Sequence, residues 1–236
     1  MAVNQILVSV LSILQDEKIP VCVIGELALN YYNVPRVVHD LEFCVPEASL
    51  LTAASTLCST GQYRPRPKME YDIFTQYKDG FPAFRVQSHP NLAIVLFPDN
   101  FFHLSPVGQM IVLRSQKSDI SIYSRQILDL VPEKSLEILP FPHLSPYFIG
   151  LCRRFFESGD DMARIAAEQL VGGMKLDEAW IQLNLSKAPP KVQYLASVLV
   201  DERFSSVDEL WDLQMSSFAE SDREEELQCI PGSGFQ

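Results

Sequence analysis

The sequence predicts an α/β fold, with a sheet-bearing region followed by a helical one, and three observations carry that expectation. Segments of helical and strand periodicity alternate through roughly the first 60 residues. Short apolar, strand-like runs continue to about residue 123, and beyond Leu139 the pattern turns helical to about Val200. With 236 residues, 47% of them hydrophobic and 21% charged, the chain is long enough for one sizeable core. Collagen-like, coiled-coil and fully disordered readings are excluded.

Val3, Ile6, Leu7, Val10, Leu11 and Leu14 recur at three- and four-residue steps, predicting a helix over about 3–17 that ends before Pro20. Val21–Ile24 is too short and too apolar for a helix and reads as a buried strand stopping at Gly25. A helix fits Glu26–Tyr32, because Pro35 forbids its continuation, and Asp40–Val45 alternates as a strand. Pro46–Ser59 reads as a helix with proline in its first turn and Gly61 past its end. Residues 63–68, Tyr-Arg-Pro-Arg-Pro-Lys, are expected as an extended basic loop, and further strands at 71–76, 83–87, 92–97 and 119–123, with a turn at Lys78-Asp79-Gly80.

In the last third, Ser145 and Pro146 are expected to cap and begin a helix that Gly159 ends. Asp160 or Asp161 starts another, to about Val171, and helices follow at 176–185 and 190–200. The tetrapeptide His-Leu-Ser-Pro occurs at 103–106 and again at 143–146, and both copies read as helix starts. The expected organisation is an α/β domain over 1–140, a helical lobe over 141–215 and an acidic, disordered tail over 216–236.

The formal charge is -11, and residues 201–226 supply most of it, with ten acids against Arg203 and Arg223. That balance argues against nucleic acid as a partner, since phosphate neutralisation by Lys and Arg provides most of such affinity. Five cysteines without a C-x-x-C pair point to a reducing compartment. Met1–Gln15 lacks a positive leading region, and no apolar run approaches the roughly 18 residues that span a bilayer. A cytoplasmic protein without membrane association is expected.

The chemistry-bearing stretch is Val23-Ile24-Gly25-Glu26-Leu27-Ala28-Leu29, then Pro35-Arg36, then His39-Asp40-Leu41-Glu42-Phe43. A strand ending at a glycine that opens a helix presents free N–H groups to an anion. Asp40 and Glu42, two apart on a strand, face one side roughly 6.5 Å apart and could bridge divalent ions. A phosphate cradle beside metal-binding carboxylates is what nucleotidyl transfer needs.

This stretch resembles the nucleotidyltransferase superfamily, with its Gly-Gly-x-Ala, helix, Arg-x-Thr/Ser and Asp-x-Asp/Glu pattern, and looks most like a set of uncharacterised fungal members. Gly25, Ala28, Arg36, Asp40 and Glu42 fall at the matching positions. The resemblance covers about 25 residues, with Arg153, Arg154, Asp160 and Asp161 echoing a downstream segment of relatives. It implies a small mixed sheet with flanking helices, a cleft against a helical C-terminal lobe, and Mg2+-dependent transfer of a nucleoside monophosphate from ATP or another NTP to a hydroxyl or phosphate acceptor. In that reading Asp40 and Glu42 are the catalytic acids and metal ligands, while Gly25, Glu26 and Arg36 lie against the nucleotide.

Glu26 and Val38 stand where the superfamily has Gly or Ser and Thr or Ser, and a further carboxylate on a later strand is missing, leaving Asp72 or Asp99 as substitutes. These departures define an alternative, a degenerate member serving as a nucleotide-binding or protein-interaction module. A third reading is a small-molecule pathway enzyme reusing the cleft. His39, His89, His103 and His143 read as structural, and Arg64, Arg66 and Lys68 as hydrated loop charges able to reach an anionic substrate. Trp180, Trp211 and the Phe pairs read as packing.

Overall fold

A computed structural model describes residues 2–67, 75–112 and 123–203. Among these residues the fold is mixed α/β: one five-stranded sheet with helices before, between and after its strands. Helix α1 (Ala2–Asp16) buries Ile6, Leu7, Val10, Leu11 and Leu14, the stripe its spacing predicts. Strand β1 (Cys22–Ile24) runs into helix α2 (Gly25–Tyr31), and β2 (Asp40–Val45) is buried at every position. A 3-10 turn (Glu47–Ser49) precedes α3 (Leu50–Ser59), so Pro46 opens the tighter turn and the α-helix starts later than its sequence suggests.

Within the extended basic loop expected over 63–68, the first three residues are a strand, whereas Arg66 and Pro67 are not. Tyr63–Pro65 form strand β3, which pairs antiparallel with β4 (Ala83–Val86) at the edge of the sheet, where Pro65 needs no ladder donor. Strand β5 (His89–Pro98) pairs antiparallel with β4 and parallel with β2, giving the order β1-β2-β5-β4-β3. The strand expected at 71–76 lies mostly outside the described residues. Its described end is a turn leading to a 3-10 helix at Gln76–Lys78. The strand expected at 119–123 lies outside them except for Tyr123, which is not in a strand, and the tail over 216–236 also falls outside them.

Helices α4 (Arg125–Leu130), α5 (Glu133–Leu136), α6 (Leu144–Ser158), α7 (Asp161–Gly173) and α8 (Glu178–Asn184) follow, and residues 190–203 are helical. Gly159 closes α6 in the left-handed conformation at φ 67°, and Asp160 caps α7 by accepting from Ala163 N–H. The serine caps expected in the two His-Leu-Ser-Pro copies are not found. Ser145 lies inside α6, where its Oγ donates to the Asn184 carbonyl, and His143 is the cap. The first copy contains a cis Ser105–Pro106 bond and leads only to a 3-10 turn, Val107–Gln109.

Side chains from α1, the sheet and α6 to α8 share one hydrophobic cluster. Two glycines let the C-terminal helices approach the first region backbone to backbone. A β-carbon on Gly173 would stand 2.8 Å from the Asn33 carbonyl oxygen, and one on Gly150 would stand 3.2 Å from the Phe102 carbonyl carbon. Among the described residues no helix is long and apolar enough to cross a membrane, and Cys44, Cys58 and Cys152 are unbridged.

Candidate functional site

Alternation along β2 turns Leu41 and Phe43 to one face and Asp40 and Glu42 to the other. The two carboxylates converge on a single ammonium. Lys78 Nζ lies 2.8 Å from Asp40 Oδ2 and 2.9 Å from Glu42 Oε1. Arg66 Nη1 lies 3.3 Å from Asp40 Oδ1, and the Tyr77 hydroxyl donates to Glu42 Oε1 at 2.7 Å. The side chains of Lys78, Asp40 and Glu42 are 11%, 9% and 0% exposed, so these are desolvated pairs whose geometry matters far more than a surface bridge's. Burial alone would lower the Lys78 pKa, but Glu42 and Asp40 outweigh it and hold the ammonium above its ordinary 10.5. Burial, then Glu42, pushes the Tyr77 phenol well above its ordinary value, which keeps it a donor.

Gly25 opens α2 at φ 65° with its α-carbon against this pair, for an added β-carbon would fall 2.5 Å from Glu42 Cδ. Glu26 does not reach the pair. It accepts from the His39 backbone N–H at 2.6 Å, and its Oε1 lies 2.9 Å from His39 Nδ1. Arg36 is placed through Asn30, which is fully buried: Asn30 Nδ2 donates to the Glu26 and Arg36 carbonyls at 2.9 and 2.8 Å, and its Oδ1 accepts from Arg36 N–H at 3.2 Å and from Ser124 Oγ.

A cavity of about 360 Å³ lies between this end of the sheet and α6–α7. Gly25, Glu26, Arg36, His39, Glu42 and Lys78 line one side. Leu29, Phe102, Tyr147, Leu151, Met162 and Ala166 supply an apolar wall, and Arg154 reaches in from α6. Arg154 is itself buried, ion-paired to Asp160 and stacked 4.5 and 4.4 Å from the ring centres of Phe101 and Phe102. Tyr147 is pushed well above its ordinary pKa, by burial first and by Glu42 second, so it too stays neutral. The Nε atoms of Arg36 and Arg154 and Oε2 of Glu42 are buried with no hydrogen-bond partner among the described residues.

The structure therefore brings Gly25, Glu42 and Asp40 together, sets Glu26 and Arg36 on the rim of the same cavity, and takes Asp99 elsewhere. Asp99 Oδ1 accepts from Glu47 N–H at 3.1 Å, in a different depression beside Pro46 and Ser105, so it is no third acid for this pair. Asp72, the other candidate, and the basic residue Lys68 lie outside the described residues. Among the described residues no group of three or more His, Cys, Asp or Glu side chains is placed to hold a metal ion.

The donor chemistry of the acidic pair suits a magnesium ion, which prefers carboxylate oxygens at about 2.0–2.1 Å. The surroundings do not. Lys78 already stands at the point both carboxylates face, and a dication about 4 Å from it would be repelled by roughly 8 kcal/mol at an effective dielectric of 20. In this arrangement the pair does not fit a resident divalent ion.

Three site residues escaped the sequence reading. Lys78 and Tyr77 belong to a turn whose composition signals only a chain reversal, and Tyr147 sits in an ordinary apolar helix face; each is recognisable only from long-range contacts. Arg66, read as a loop charge, is a partner of Asp40.

No protein-family model matches the chain, and no curated protein does. Among solved structures, the solution structure of the antibiotic-resistance factor ANT(2'')-Ia aligns with a TM-score of 0.41 and 10% identity over 90% of this chain and 99% of that one.

Proposed function

We propose that this chain is a nucleotidyltransferase-like protein whose cleft binds a nucleotide without carrying out metal-dependent transfer. The observation that supports this most is the capture of both motif acids by Lys78, at 2.8 and 2.9 Å, in a cavity that also holds two arginines with unpartnered Nε donors. The apolar wall of Leu29, Phe102, Leu151 and Met162 suits a base or other flat apolar group, and Arg36 and Arg154 suit phosphate oxygens. Gly25 contributes by leaving room for Glu42.

Thermal unfolding with and without each NTP tests it. A ligand at 100 times its dissociation constant stabilises by about 2.7 kcal/mol, so a rise in midpoint is expected with at least one NTP in the absence of Mg2+. No shift with any nucleotide rejects the reading.

A second reading, Mg2+-dependent transfer to an acceptor hydroxyl or phosphate, is favoured by the convergence of Asp40 and Glu42 on one point. Residues Asp40 and Glu42 would then hold the metal after Lys78 had moved away, and the ion would supply charge neutralisation for the phosphates. Nucleotide stabilisation that appears only with Mg2+, together with release of pyrophosphate, would select it. In either reading the cytoplasm is the proposed location.

A further inference from the structure

We infer that Lys78 is a built-in cation standing where the acidic pair would otherwise take a divalent metal ion, so that removing its ammonium opens a metal site. The inference rests on the proposed nucleotide-binding reading only for its biological sense.

First, the ammonium is equidistant, within 0.1 Å, from one oxygen of each carboxylate, 2.8 Å from Asp40 and 2.9 Å from Glu42. Second, among the described residues Lys78 and Arg66 carry two positive charges against the two negative charges of Asp40 and Glu42, so these four side chains are formally neutral together and leave a dication no uncompensated charge among them. Third, Glu42 keeps a donor in reserve. The residue is 1% exposed, its Oε1 is engaged by Lys78 and Tyr77, and its Oε2 has no hydrogen-bond partner among the described residues. A buried carboxylate oxygen without a partner is costly for folding, yet it is what a hard cation ligates. Fourth, Glu42 and Lys78 border the cavity, which offers space for the water molecules such an ion retains.

Deleting the side-chain charge of Lys78 changes the balance in the required direction. Among the described residues, Asp40 and Glu42 would then face a vacated position with Arg66 as the remaining counter-charge, two carboxylates and solvent being enough for a hydrated Mg2+ or Mn2+. No nucleotide is needed for this step. Lys78 thus does structurally what a bound ion would do, and the chain keeps the acids together without metal.

Mn2+ binding to the full chain, followed by loss of the free-ion EPR signal, tests the inference. Wild type should show no binding that depends on Asp40 and Glu42. Lys78→Ala should bind at least about tenfold more tightly than wild type, and adding Asp40→Asn and Glu42→Gln to it should abolish the gain. If Lys78→Ala folds poorly, the readout becomes rescue: its thermal midpoint should rise with Mn2+ while the triple variant's does not. The inference is overturned by wild-type Mn2+ binding that Asp40→Asn removes, or by Lys78→Ala showing neither Mn2+ binding nor rescue. Because the assay contains no nucleotide, failure of the nucleotide-binding reading leaves it intact, and its own failure leaves nucleotide-induced stabilisation unaffected.

Discussion

The α-carbon of Gly25 is packed against the carboxyl group of Glu42, with 2.5 Å between the Glu42 Cδ and the place a β-carbon would occupy. Glycine is therefore required twice at this position, for its φ of 65° and for the space. Gly25→Ala should lower stability by about 2–4 kcal/mol, combining left-handed strain with overpacking. Gly61 has a φ of 70° with nothing within 4 Å of its missing β-carbon, so Gly61→Ala isolates the strain and should cost about half as much or less. Urea titration of both variants checks the difference.

Lys78 links stability to alkaline pH. Its folded pKa lies above the ordinary 10.5, so its contribution is complete below that value and disappears as pH rises through the folded value. Lys78→Met should cost about 3–5 kcal/mol at neutral pH, because two carboxylates lose their buried partner. The gap between variant and wild type should stay constant up to about pH 9.5 and shrink above 10.5, as read from denaturation midpoints at successive pH values.

Asn30 holds the segment bearing Arg36 by two hydrogen bonds and reaches the Glu26 carbonyl by a third and Ser124 by a fourth, all from a side chain with no exposed surface. Asn30→Ala leaves several buried backbone groups unpaired and should cost about 2–4 kcal/mol. If nucleotide is bound, its dissociation constant should rise as well, since Arg36 loses its placement; calorimetric titration against wild type measures that part separately.

Arg154 combines an ion pair to the residue capping α7 with close contacts to the Phe101 and Phe102 rings. A lysine keeps the charge but neither the planar stacking nor the forked donors. Arg154→Lys should therefore destabilise by about 1–3 kcal/mol and fail to restore whatever nucleotide affinity Arg154→Leu removes. Thermal midpoints with and without nucleotide distinguish the two effects.

Local rules made much of the fold legible. The three- and four-residue apolar steps of α1, the alternation of Asp40–Val45, Gly159 as a helix stop and Asp160 as a cap are each governed by a few neighbouring residues, and each appears where the pattern places it. The edge strand β3 was not legible, because Pro65 argues against a central strand and only β4 shows that an edge was available. Ser145 looked like a cap on composition, but its hydroxyl is taken by the Asn184 carbonyl, 39 residues away. The acidic pair was readable from β2 alone. Its counter-ion was not, since Lys78 lies 36 residues beyond Glu42 and reaches it only through the tertiary fold.

The close seating of Gly150 and Gly173 against carbonyl groups of the first region fixes how the cavity can respond to an occupant. With no side chains at those two points to rearrange, the helices bearing Arg154, Met162 and Ala166 rest on a hard stop. The width of the gap they bound is therefore set by main-chain spacing, and adjustment to an occupant falls to the side chains that line it.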